Sequence, residues 1–140
     1  MPRVDFYVIE DPQSDPRRVA CRLVEKAWRQ GHAVFVHTDS ADDAQRMDDL
    51  LWTYRQDSFL PHARQSETSA DDCRVFIGDG GEPTDELDVV VNLSQEVPPF
   101  YSRCQRLAEV VTAEEGSRVA GRTRYRYYRE QGLAPEYHKL

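Results

Sequence analysis

A chain of 140 residues with no apolar run near the ~18 to 20 residues of a membrane span is sized for a single domain, residues 1–140, around one core. Its formal charge of −7 argues against binding duplex DNA through the whole surface, and three widely spaced cysteines, Cys21, Cys73 and Cys104, suggest neither a disulfide framework nor a zinc motif. The opening MPRVDFYVIE has no charged n-region, apolar h-region or cleavage site, so a cytoplasmic protein without membrane attachment is expected.

Val4 to Ile9 is a β-rich burst and predicts the first strand. After a polar loop with Pro12 and Pro16, Val19, Leu23, Ala27 and Trp28 recur at helical spacing, and Gly31 stands where a C-terminal cap belongs. His32 to Thr38 predicts a second strand. DSADDAQRMDDLLWTY then reads as a helix with Asp39 or Ser40 at its N-cap and acids in its first turn. Asp72 to Asp79 predicts a third strand running into the turn GDGGEP, and Leu87 to Ser94 is a near-continuous apolar run of the kind buried on both faces of a parallel sheet. PPFYSRCQRLAEVV, with prolines first and Phe100, Cys104, Leu107 and Val111 on one face, predicts a third helix. A fourth is expected over EEGSRVAGRTRYRYYREQG, with Ser117 at its N-cap and Gly132 past its end, leaving LAPEYHKL as a tail. Alternating β and α elements predict an α/β fold: an open, mostly parallel sheet with helices on both faces, Rossmann-like.

Such a sheet invites a nucleotide, but GDGGEPTDE matches no phosphate-binding glycine motif and is acidic where phosphate would sit, so it reads as a plain turn. His32, His37, His62 and His138 form no H-x-x-x-H pair and have no cysteine ligand nearby. Asp42-Asp43, Asp48-Asp49 and Asp71-Asp72 read as solvated acids rather than a magnesium site, and Cys21 and Cys104 as small core residues. No metal, no cofactor and no catalytic residue is expected.

The charge is unevenly spread. Residues 116–140 hold six Arg and Lys against two Glu, a net of +4, which leaves −11 on residues 1–115. On a helical wheel with Arg118 at zero, Arg122 falls at about 40°, Tyr125 at about −20°, Arg129 at about 20° and Arg126 at about 80°, while Arg124 points the opposite way. One reading is an exposed helix whose arginines pair with acids of the same chain. The other is an electropositive cradle for a carboxylate-rich peptide, since Arg offers a planar fork to carboxylates and Tyr gives an apolar surface.

Several blocks carry a resemblance: the opening DFYVIED, the block LLWTYRQDSFLPH with its W-x-x-x-x-x-S-F-x-P-H order, the strands VFIG and DVVVNLS, and the ending RTRYRYYREQG, close to R-x-R-[YW]-[KR]-x-Y-R. Together they span nearly the whole chain, which resembles the chi subunit family of bacterial DNA polymerase III, part of the clamp-loader complex. The resemblance implies a non-enzymatic adaptor on a Rossmann-like sheet without a nucleotide-binding loop. It implies binding to the acidic C-terminal tail of single-stranded DNA-binding protein, a run of Asp ending in Ile-Pro-Phe, and through it an indirect association with single-stranded DNA. By position the tail pocket falls on Arg122, Tyr125 and Arg126, with Arg118 and Val111 as neighbours; Arg126 stands where lysine is frequent. The resemblance also implies that Trp52 and Phe59, with Leu60 and Pro61, dock the psi subunit or a helicase-like protein. From the residues alone, the preferred reading of Trp52 is a core residue closing its helix against the sheet. Two other classes compete with the adaptor: a nucleotide-using enzyme, and direct binding of single-stranded nucleic acid by the Tyr and Arg cluster.

Overall fold

A computed structural model describes residues 2–53, 63–64, 75–78 and 87–140 of the chain. Its strands are β1 (Arg3–Val8), β2 (Val34–His37), β3 (Ala63–Arg64), β4 (Val75–Gly78), β5 (Leu87–Asn92), β6 (Cys104–Val111) and β7 (Glu136–Lys139), and its helices are α1 (Pro16–Arg29), α2 (Ala41–Thr53) and α3 (Glu115–Glu130). All seven strands join one sheet in the order β3-β4-β2-β5-β6-β1-β7, and every pair is parallel. This is the expected α/β architecture.

Side chains that alternate along the strands feed two apolar layers. Val34, Val36, Val89, Val91, Ala108 and Val110 face α1 and α2; Val4, Phe6, Phe35, Val90, Leu107 and Val111 face α3 and the segment around Phe100. Burying a side chain the size of Phe6 or Leu107 contributes about 1.5–3 kcal/mol, so each face anchors its helices independently. The ends of the helices follow local chemistry. The Ser40 hydroxyl accepts from the Asp43 N–H at 3.2 Å and caps α2. At the end of α1, Gly31 takes φ +87°, with its N–H on the Trp28 carbonyl and that of His32 on Ala27, which closes a Schellman motif.

Two expectations fail. The predicted third helix is a short 3-10 turn, Tyr101–Arg103, followed by strand β6. β6 is flanked by β5 and β1, so Leu107 to Val111 are all buried, alternately toward either layer. Such a doubly covered strand mimics the i, i+3, i+4 spacing of a buried helix face. The predicted tail is an edge strand: β7 pairs with β1, bringing the two ends of the chain together. In addition, α3 starts with Glu114 rather than Ser117 as its N-cap residue, and the Ser117 hydroxyl instead accepts the Thr112 N–H at 2.9 Å.

Candidate functional site

Helix α3 sits unusually close to the sheet at one point. A Cβ on Gly121 would stand 2.8 Å from Cγ2 of Val111, so glycine is what lets the helix settle on β6 there. Its sheet-facing side is then locked by a buried polar network. Arg124, 3% exposed, donates from Nε to Glu109 at 2.9 Å and from a terminal nitrogen to the Gln95 carbonyl at 2.9 Å. The Tyr128 hydroxyl and the Asn92 amide also donate to the Glu109 carboxylate. Burial pushes the Glu109 carboxyl up, while Arg124 and the hydrogen bonds pull it back. Every contact is a donor, the arrangement that suits an ionised carboxylate.

With that side fixed, the flank of α3 turned toward the sheet edge overhangs a groove of about 850 Å³. Phe6 and Val8 of β1, Val111 of β6 and Gly121 line its apolar part, and Tyr125 packs on Phe6 with ring centroids 5.4 Å apart. Arg118, Arg122, Arg126 and Arg129 line it from α3, and Tyr137 and Lys139 from β7. Two acids, Glu10 and Glu130, also reach it, and Lys139 lies 3.6 Å from Glu10. Among the described residues none of the four arginines makes an ion pair, and Arg118 Nε is buried without a hydrogen-bond partner. The groove therefore offers spare cationic donors beside an apolar floor, which suits an anionic peptide with an apolar end.

All five residues picked out for a tail pocket, Arg118, Arg122, Tyr125, Arg126 and Val111, thus share one concavity. Sequence reasoning missed Tyr137 and Lys139, because they were placed in a tail, and missed Phe6 and Val8, which look like ordinary core residues. The second predicted patch is only partly placed. Trp52 is 56% exposed near the end of α2, rather than closing the helix against the sheet. Phe59, Leu60 and Pro61 lie outside the described residues, as do His62, Cys73, Asp71-Asp72 and the turn after Gly78.

Other places where chemistry could reside are occupied differently. The crevice at the carboxyl ends of the strands, where doubly wound sheets hold ligands, is about 300 Å³ and sets Arg17, Arg46 and Arg124 against Asp15, Asp43 and Glu114. It has no charge preference. Asp5, Glu136 and His138 come close enough together to ligate a cation. The buried Asp5 carboxylate, however, already meets His138 at 2.9 Å and the guanidinium groups of Arg3 and Arg106 at 3.4 Å each, a surrounding that disfavours a metal ion. Burial pushes the Cys21 thiol up to about 12 and that of Cys104 to about 11, which leaves neither as a thiolate nucleophile at neutral pH. No helix of the described residues is long and apolar enough to cross a membrane.

Comparison with known proteins agrees with the resemblance drawn from the motifs. The sequence model of a family described as "DNA polymerase III chi subunit, HolC" matches residues 1–136. A Pseudomonas aeruginosa protein named DNA polymerase III subunit chi is 44% identical over 145 aligned positions, covering all of this chain and 98% of that protein. Proteins of the same name from Haemophilus influenzae and Escherichia coli are 27% and 24% identical, covering 91% and 95% of this chain and 90% and 95% of their own lengths. The chain belongs to the DNA polymerase III chi subunit family, a family of replication proteins.

Proposed function

We propose that this chi-family chain is a non-catalytic, cytoplasmic adaptor, a single α/β domain that links the clamp loader of DNA polymerase III to single-stranded DNA-binding protein by holding that protein's acidic C-terminal tail. The observation that carries the reading is the row of four arginines, unpaired among the described residues, above an apolar-floored groove. Arg122 and Arg126 take the terminal carboxylate and the neighbouring acids. Tyr125, Phe6, Val8 and Val111 receive the terminal Phe and Pro. Arg118 brings a buried donor that still needs an acceptor, the kind of group a bound carboxylate satisfies. Tyr137 and Lys139 of β7 close the groove on its far side.

The exposure of Trp52 supports a second contact, with the psi subunit or a helicase-like protein, because a solvent-facing Trp is a frequent interface anchor. In that arrangement α2 docks the holoenzyme side and α3 the DNA-coating side. The test is a pull-down with full-length single-stranded DNA-binding protein and with a form lacking its last residues. Capture of the first alone is expected; equal capture of both would remove the tail from the account.

A further inference from the structure

We propose that the outward face of α1 is a third interaction surface, one that takes the phosphate backbone of single-stranded nucleic acid. The charge concentrated there is out of keeping with the chain. Helix α1 holds Arg17, Arg18, Arg22, Lys26 and Arg29 against Glu25 alone, a net of +4 within a protein of −7. Two of these cations are spent on neighbours, Arg17 on Asp15 and Arg29 on Glu25. Arg18, Arg22 and Lys26 are exposed and make no ion pair among the described residues. They recur every four residues, which places them in steps of about 6 Å along a gently winding row.

The row differs from the α3 groove in lacking an anchor. Val19, Ala20, Val24 and Ala27 are all turned into the core, and the two half-buried apolar side chains of α1, Leu23 and Trp28, pack against it. A docked peptide or protein draws most of its affinity from buried anchors, whereas a polyanion needs only spaced positive charge. Beside the row, Lys26 shares a cleft with Arg106 of β6, but that guanidinium lies 3.4 Å from the Asp5 carboxylate in the same cleft, so the row of spare cations ends at Lys26. Since α1 and α3 cover opposite faces of the sheet, a strand on α1 and an acidic tail on α3 do not compete for the same space.

A contact of this kind is weak and independent of base sequence, with a dissociation constant of about 10⁻⁴ to 10⁻⁶ M and a log–log salt slope of about −2 to −3 for three to four phosphates. The test is fluorescence anisotropy of a labelled oligothymidylate titrated with the full chain at rising salt. Wild type is expected to bind with that slope, Arg18→Glu/Arg22→Glu/Lys26→Glu to lose at least about tenfold, and Arg122→Ala to match wild type. Affinity for the acidic tail peptide, unchanged in the triple variant, shows that it is folded and keeps this outcome separate from that of the tail site. Should the triple variant not fold, Arg18→Gln/Arg22→Gln is expected to flatten the slope by about 1.4. Absence of binding by wild type at low salt, or equal binding by the triple variant, overturns the proposal. Loss in Arg122→Ala would place the strand on α3 instead, and equal competition by polyglutamate would make the partner an acidic protein; either result also overturns it.

Discussion

On the sheet-facing side of α3, Arg124 is sealed against Glu109, Tyr128 and the Gln95 carbonyl; on the groove side, Arg118, Arg122, Arg126 and Arg129 meet no acid at ion-pair distance among the described residues. One helix thus uses the same side chain in two ways. A guanidinium whose donors are satisfied inside the chain fixes the helix; one whose donors are left over is available to a partner. The first holds the second in place, since the roll of α3 about its axis decides which residues overhang the groove.

That contrast can be broken from its structural half first. Glu109→Ala leaves Arg124 buried with no counter-charge and is expected to destabilise the fold by about 3–5 kcal/mol, read from denaturant midpoints. Replacing the pair together, as Glu109→Leu/Arg124→Met, should recover most of that loss. A smaller effect is expected from Gly121→Ala, whose new methyl group meets the Val111 side chain at 2.8 Å. Overpacking of this kind costs about 1–3 kcal/mol and should also weaken tail binding by lifting α3 from the groove floor. Unchanged unfolding and binding would show that the close approach is unimportant.

The groove half responds to conditions rather than to cavities. Raising the salt concentration should weaken binding of an acidic tail peptide, because the four arginines line an open groove where ions screen them. The smallest effect expected is on stability at mildly acid pH. His37 is buried beside Phe35 and Phe100 with Nδ1 unpartnered, and burial lowers its pKa from the usual 6.5, opposed in part by the Asp39 carboxylate. The fold therefore favours neutral imidazole. Its contribution is whole above the unfolded pKa and falls away as pH drops below it. Urea midpoints should decline between pH 7.5 and pH 5.5, less so in His37→Phe; equal declines would acquit His37.

How much of this was readable beforehand follows from what each element touches. The groove flank of α3 was visible on a helical wheel because its arginines, half-buried or exposed, repeat at a clean helical spacing. Strand β6 was hidden because both its faces are covered, so no two-residue alternation marks it. The role of Glu109 was hidden with it. In the helix expected there, an acid would look solvated, and only the strand turns it under α3. Strand β7, EYHK, lacks an apolar pattern of its own. Its place depends on pairing with β1 and on the His138–Asp5 contact at 2.9 Å, neither of which composition reveals.

The most direct measurement is calorimetric titration of an acidic peptide ending in Ile-Pro-Phe into wild type and Arg122→Ala. The account predicts a loss of about 2 kcal/mol, roughly thirtyfold in affinity, with thermal stability unchanged. Equal affinity in the two proteins would contradict it.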